Sequence, residues 1–489
     1  MEYIENKEEE LKQTRGIFKD MLKYSPSKII GMIGNMIVIP VYTNLLLPEQ
    51  YGLYSLSIAF LSFLCIIFSD WVGLSGLRFF RKAQLAEDLS QYLSTLVAIL
   101  GTNLTLMFGL CAIFQGKMIP FFKISPIYFW AVLFLIIPVA IRALLFQILR
   151  AQIKPASYTF STIFNQFLTI GLSILFIKML HLGAMSMLLA MGIAITVTDI
   201  ILMFQSNIFR FFKKPKLSWG VLFPIIIYGF PLAASSLSGW IINQSNKVVM
   251  NSIKGFTEVA YVGVAYGATM SVLMTLFAII TVAAIPRFYR MHEANIDVRH
   301  IVGRFVGYFL LISLPLVTIF ALYPYDILYM LNTNAKFHDA AKLIPYFSFG
   351  TLFLCLTDYT TVQYHLANKT WITFIIKLLS GISNVLLTLY LVPIMGLKGV
   401  GIAVFASNFI FYILSSIIRL PNLALLFPQK NLACIMLSFV PLYFLYKYLT
   451  NLNGIYTHHW LQMITLLIAY YIVYAILYKI FKGSITKES

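Results

Sequence analysis

The chain has 489 residues, 60% of them hydrophobic and only 11% charged, with a mean hydropathy of +0.84. That composition excludes an ordinary soluble domain and makes the lipid bilayer the expected solvent. A net charge of +18 would suggest nucleic acid for a soluble protein. Here the basic residues are scattered over short loops, which fits orientation in a membrane and no nucleic-acid partner.

Residues 1–24 are mostly charged or polar and lack the apolar core of a secretory signal, so they are expected to form a cytoplasmic tail. A membrane span needs about 20 apolar residues. Fourteen such segments follow, at roughly 25–47, 51–73, 91–114, 126–149, 157–179, 183–208, 219–245, 258–284, 300–322, 341–363, 370–393, 397–418, 430–449 and 459–481. Lys and Arg concentrate in alternate connections, among them Arg78, Arg81 and Lys82, then Arg150 and Lys154, then Arg210 to Lys216, then Arg287 to Arg304. By the positive-inside rule this places both termini in the cytoplasm and requires an even number of spans. Outer loops are short; the longest runs from Tyr323 to Ala340. Cys65, Cys111, Cys355 and Cys434 all fall in apolar segments without metal-ligand spacing, so neither a disulfide framework nor a metal site is expected. His458 and His459 read as an outer-loop feature.

Two stretches repeat weakly. Tyr24-Ser25-Pro26 precedes Pro48-Glu49-Gln50-Tyr51-Gly52, and Gly229-Phe230-Pro231 precedes Thr257-Glu258 and Gly263. Each Ser/Gly-x-Pro is read as opening a segment that ends at an outer Glu and Tyr/Gly corner. Six spans separate them, as expected for two parallel halves with a site between them. Recurrence of Pro and Gly at helix ends is the competing explanation. The division expected is residues 25–212 for a first six-helix lobe and 213–420 for a second. Residues 421–489 would supply two extra C-terminal helices and a tail.

Charges inside the apolar segments mark a function, because each costs about 2.5–3.5 kcal/mol at the bilayer centre and usually faces a cavity or a partner. Lys28 shares a helical face with Gly31 and Asn35, although its stem could also snorkel to the interface. Arg142 is followed eight residues later by Arg150, a ladder suited to a pyrophosphate. The alternative for Arg142 is a structural pair with a carboxylate. Lys377 lies about two turns into the eleventh segment. Arg78 and Arg81 suit an inner mouth or a plain topological role. Trp240 and Asn243 lead at helical spacing to Lys247, expected at the outer end of the seventh segment; Trp240 would stack on a sugar ring or simply pack. Asp358, Asp199 and Asp70 (the last expected near the inner end of its segment) are the candidate acids for H+ or Na+ coupling or for neutralising a cation. Together the cations predict a central cationic cavity for an anionic substrate. No Gly-rich phosphate loop and no HExxH motif occurs, and no other cofactor is expected.

The strings IPVYTNLLLPEQYGLYSLSIAF (39–60), GLSGLRFFRKA (73–83), the region 229–250 and IPRFYR (285–290) resemble the oligosaccharide flippases of the MOP superfamily. The resemblance implies an all-α protein of two six-helix lobes plus two C-terminal helices. It further implies transfer of undecaprenyl-pyrophosphate-linked oligosaccharide repeat units across a bacterial cytoplasmic membrane, alongside membrane lipids and other polysaccharide-assembly proteins. Members of that group often carry Asp-Arg late in the seventh segment; Asn246-Lys247 stands there here, so the carboxylate is missing. A cation-coupled drug exporter of the related MATE group, and a membrane-bound polysaccharide polymerase or ligase, are the rival expectations.

Overall fold

A computed structural model describes residues 28–86, 88–152, 154–206, 208, 219–294, 296–427, 429–451 and 459–483. The described residues form an all-helical bundle. Thirteen helices are long and apolar enough to cross a membrane, or fourteen when a bent pair counts as one span. We label the spanning helices in chain order. The first six are α1 (Lys28–Leu45), α2 (Pro48–Leu85), α3 (Leu89–Phe122), α4 (Pro126–Ala151), α5 (Pro155–Leu180) and α6 (Ala184–Ser206). The next six are α7 (Trp219–Lys254), α8 (Phe256–Glu293), α9 (Arg299–Leu322), α10 (Ile344–Leu366), α11 (Thr370–Met395) and α12 (Leu397–Ile417). The last two are α13 (Asn431–Thr450) and α14 (His459–Gly483). The face on which α1 begins is called the near face below, and the other the far face.

Helix starts follow local chemistry. Proline opens α2, α4 and α5, where its missing N–H would have no helical partner. Gly255, at φ +90°, makes the corner between α7 and α8. Several helices outrun their apolar stretch. The second reaches Leu85 rather than 73, the third Phe122 rather than 114, the seventh Lys254 rather than 245, and the eighth Glu293 rather than 284. Hydropathy marks where lipid ends; a helix ends only where its backbone hydrogen bonding is broken.

One expectation gains detail and two are corrected. The Tyr323–Ala340 loop is mostly helical, with Pro324–Met330 and a 3-10 turn at Ala335–Lys342 that meets α10 at 53°. Gly229-Phe230-Pro231 does not open the seventh helix; Pro231 is interior to α7. Its proposed partner Tyr24-Ser25-Pro26 lies outside the described residues. Asp70 is not near a helix end. It closes a π-helical turn, Ile66–Asp70, fifteen residues from the end of α2.

The first six helices pack mainly on one another, and so do the next six, with α2 against α8 and α7 joining the two bundles. Helix α2 contributes Phe60, Leu61 and Leu64 to the largest buried cluster, with Phe129 and Ile136 of α4 and Val262 and Ala265 of α8. A second cluster holds Phe288, Phe305, Phe309 and Tyr359 within the second bundle. Helix α14 is held against the end of α9, where the Tyr323 hydroxyl meets Gln462 Oε1 at 2.9 Å.

Candidate functional site

Four intramembrane charges fall in one layer. Arg142 is nine residues before the near-face end of α4, Asp199 seven before the end of α6, and Asp358 eight before the end of α10. Lys377 is seven residues after the start of α11. At 1.5 Å per residue all four lie roughly 10–14 Å in from the near-face helix ends. Each bundle contributes one cation and one acid. Arg142 acts electrostatically on Asp199, and Lys377 on Asp358. Neither couple closes to an ion pair within 4.0 Å.

Arg142 is half-buried, and its guanidinium meets no hydrogen-bond acceptor among the described residues. Its electrostatic neighbours are Asp199 of α6, Cys65 of α2 and Tyr158 of α5. Asp199 is 4% exposed, and both carboxylate oxygens lack a donor among the described residues. Lys377 is likewise half-buried without a described acceptor, and it also acts on His365, two turns along α10 from Asp358.

The π turn of α2 borders the first couple. Ser69 donates to the Cys65 carbonyl at 3.1 Å and stands 3.4 Å from Asp70 Oδ1. Widening the helix displaces the Phe68 carbonyl, which accepts from Asn103 of α3 at 3.2 Å. The Trp71 indole caps the Ile67 carbonyl at 3.0 Å.

A second constellation lies on α7. The Trp240 indole N–H reaches across to α2, donating to the Ala59 carbonyl at 3.0 Å and to Ser62 Oγ at 3.1 Å, with its ring against Phe63. Asn243 Oδ1 accepts from the Tyr266 hydroxyl of α8 at 2.9 Å, and Lys247 Nζ stands 5.9 Å from that ring's centroid. Lys247 is not at the end of its helix as expected: it lies seven residues inside α7 and is 8% exposed. The polar run QSNK stays helical because it is buried between helices, not exposed at a loop. Asn246 is fully buried, and neither amide atom has a partner among the described residues.

Other expected site residues disperse. Lys28 begins the described part of α1 and is exposed. Asn35 Oδ1 accepts from Gln166 of α5 at 3.3 Å, so part of that polar face serves packing of α1 on α5. Arg78 is exposed over the Tyr228 ring at 5.9 Å, and Arg150 is exposed and bonded to Gln147 at 3.1 Å. Sequence reasoning missed Tyr266, Tyr158 and the π turn. Nothing in periodicity distinguishes a tyrosine that completes a site from one that packs.

A family model described as polysaccharide biosynthesis protein matches residues 17–292. No curated protein matches the chain by sequence. Among solved structures, the lipid II flippase MurJ in an inward closed conformation aligns with a TM-score of 0.70 at 16% identity, covering 96% of this chain and 99% of that one. An inward-facing multidrug resistance MATE family transporter of the MOP superfamily aligns with a TM-score of 0.62 at 15% identity, covering 80% and 92%. At these identities the likeness is one of fold.

Proposed function

The chain belongs to the polysaccharide biosynthesis protein family, and from that premise we propose that it flips lipid-linked oligosaccharide repeat units across a bacterial cytoplasmic membrane. The observation that carries this reading is Arg142: a half-buried guanidinium on a spanning helix with no hydrogen-bond acceptor among the described residues. A planar fork of N–H donors suits a phosphate or pyrophosphate better than any neutral or cationic cargo. With the near face cytoplasmic and both termini inside, the layer of Arg142 and Lys377 lies where a headgroup enters.

The mechanism needs no covalent step. The headgroup loses water on entering the bilayer, and the cations offset that cost. The bundles are joined at the far face by α2 against α8, and nearer the other face by α7, where Ser75 Oγ of α2 donates to the Ile225 carbonyl at 3.3 Å. Rocking one bundle against the other would expose the cargo to the other leaflet. Undecaprenyl pyrophosphate is the carrier we infer. Coupling to H+ or Na+ would use Asp358, Asp199 or Asp70.

Drug export of the MATE type is the rival of the same fold. Unspent cations in the layer disfavour a cationic drug. Deleting the gene should cause lipid-linked oligosaccharide to accumulate inside the cell, with restoration by the intact chain. Normal surface glycan in the deletion, together with gained drug sensitivity, would replace this reading with the rival.

A further inference from the structure

A buried carboxylate without a donor on either oxygen is costly, and among the described residues Asp199 of α6 has none. Among the described residues the charge acting on it is Arg142, which stands beyond ion-pair distance and has no hydrogen-bond acceptor among those residues. Two opposite charges at matching depth on the packed helices α4 and α6 are thus left unjoined. A static structural pair would close, because a bidentate Arg–carboxylate contact gains most when both partners are desolvated. An open couple suits a cation that must also serve a second anion.

We propose that Asp199 is a resident competitor of the substrate's phosphate groups for Arg142, so that it sets how tightly an isoprenoid-linked pyrophosphate is held. With no cargo, the Asp199 carboxylate balances Arg142. When a headgroup oxygen takes the guanidinium donors, Asp199 faces an added negative charge and loses its counter-ion. The two anions then repel, which weakens holding and favours release. A proton on Asp199 removes the repulsion, so cargo affinity and proton occupancy at Asp199 are reciprocally linked.

The groups that face this couple are few. Helix α4 supplies Arg142 itself. Helix α5 supplies Tyr158, near Arg142, and Asn165, which Thr198 contacts at 3.4 Å. Helix α2 supplies Cys65, with Asp70 beyond it. At the near-face end, Lys154 Nζ is engaged by the Gln205 carbonyl at 2.8 Å. The Lys377–Asp358 couple belongs to the other bundle and has its own acid, so substitution at Asp199 leaves it intact.

The inference rests on the proposed function, and binding measurements separate the two. Purified full-length protein in detergent is titrated with undecaprenyl pyrophosphate lacking sugars, for wild type, Asp199→Asn, Asp199→Ala and Arg142→Ala/Asp199→Asn. We expect Asp199→Asn and Asp199→Ala to bind roughly tenfold tighter at neutral pH, within the usual range of site–site coupling. The affinity gap between wild type and Asp199→Asn should narrow as pH falls, since only wild type can gain the proton; the ligand's own titration cancels in that comparison. The double variant should bind weakly. Equal or weaker binding by both Asp199 variants, with wild type binding well, overturns the competitor role and makes Asp199 a support for Arg142. No binding by wild type instead removes the proposed substrate class and, with it, this inference.

Discussion

Gly52, near the start of α2, lies so close to the Phe256 carbonyl at the start of α8 that no β-carbon fits between them. The relation is reciprocal: a β-carbon on Gly263 of α8 would stand 2.8 Å from Ser55 Oγ and 3.2 Å from the Tyr51 ring of α2. Two helices from different bundles thus cross at the far face through paired glycines. Asn44 donating to the Asn332 carbonyl at 2.7 Å, Lys123 to Ser252 at 2.7 Å and Asn251 to Phe122 at 3.0 Å close the same side.

Gly52→Ala should force this seam apart, because the obstacle is a main-chain carbonyl that cannot rotate away. Overpacking of this kind costs about 1–3 kcal/mol. A cysteine placed at Ser55, buried in the wild type, should label faster with a membrane-impermeant thiol reagent in the Gly52→Ala background. Unchanged labelling would mean that the seam is slack.

Trp240 ties α7 to α2 by one donor shared between two oxygens. Trp240→Phe keeps most of the ring packing on Phe63 and removes the donor. A loss of about 0.5–1.5 kcal/mol is expected, read as a thermal midpoint a few degrees lower in detergent. An unchanged midpoint would show that water replaces the indole.

Asp358 and Lys377 offer a test of mutual neutralisation. Either Asp358→Asn or Lys377→Gln alone leaves one half-buried charge without its counterpart and should lower the yield of folded protein in the membrane. The double variant should recover much of that yield, giving a favourable coupling in a double-mutant cycle. Additive losses would show that the two charges act separately, as they would if each met a different ligand.

Outside the membrane, Asp297 caps the start of α9 by accepting from the Arg299 backbone N–H at 2.9 Å and from its guanidinium at 2.7–3.0 Å. The Arg299 side chain holds the Asp297 carboxyl below its ordinary value. A depressed value means stabilisation present above the unfolded value, about 3.9, and lost as pH falls through the folded one. Both groups are partly exposed, so the effect is local and small. Amide protection in the first turn of α9, taken relative to the intrinsic exchange rate at each pH, should be constant from neutral pH down to about pH 4, then fall in acid, and Arg299→Ala should lower it at neutral pH. Protection that declines nearer neutrality would assign the cap to another group.

Much of the fold was legible in the sequence because the bilayer imposes one rule on every segment. Apolar runs of sufficient length and alternating basic loops gave the number of spans and an all-helical class. Helix ends were not legible, since α2, α7 and α8 continue past their apolar cores on buried polar residues such as Asn246 and Lys247. Of the site, Arg142, Asp199, Asp358 and Lys377 stood out by charge in an apolar context. Their shared depth and their sorting into one cation–acid couple per bundle depend on packing that no periodicity encodes. Asn35 shows the same dependence on packing: a polar face on α1 reads as cavity lining, and Gln166 of α5 meets part of it. Asn243 and Lys247 stood out together, but Tyr266, which joins them from α8, escaped notice because it looks like any other aromatic in an apolar run.

The central claim is that the Arg142 fork binds the anionic headgroup, and Arg142→Lys tests it most directly. Lysine keeps the charge opposite Asp199, so insertion and folding should be normal, but it loses the paired donors. In cells lacking the native copy, Arg142→Lys should reach the membrane at wild-type levels. Export of the lipid-linked glycan should fall at least tenfold, in line with about 1.4 kcal/mol or more of lost headgroup binding, and the glycan should accumulate inside. Wild-type export by Arg142→Lys, and again by Arg142→Ala/Asp199→Asn, would contradict the claim.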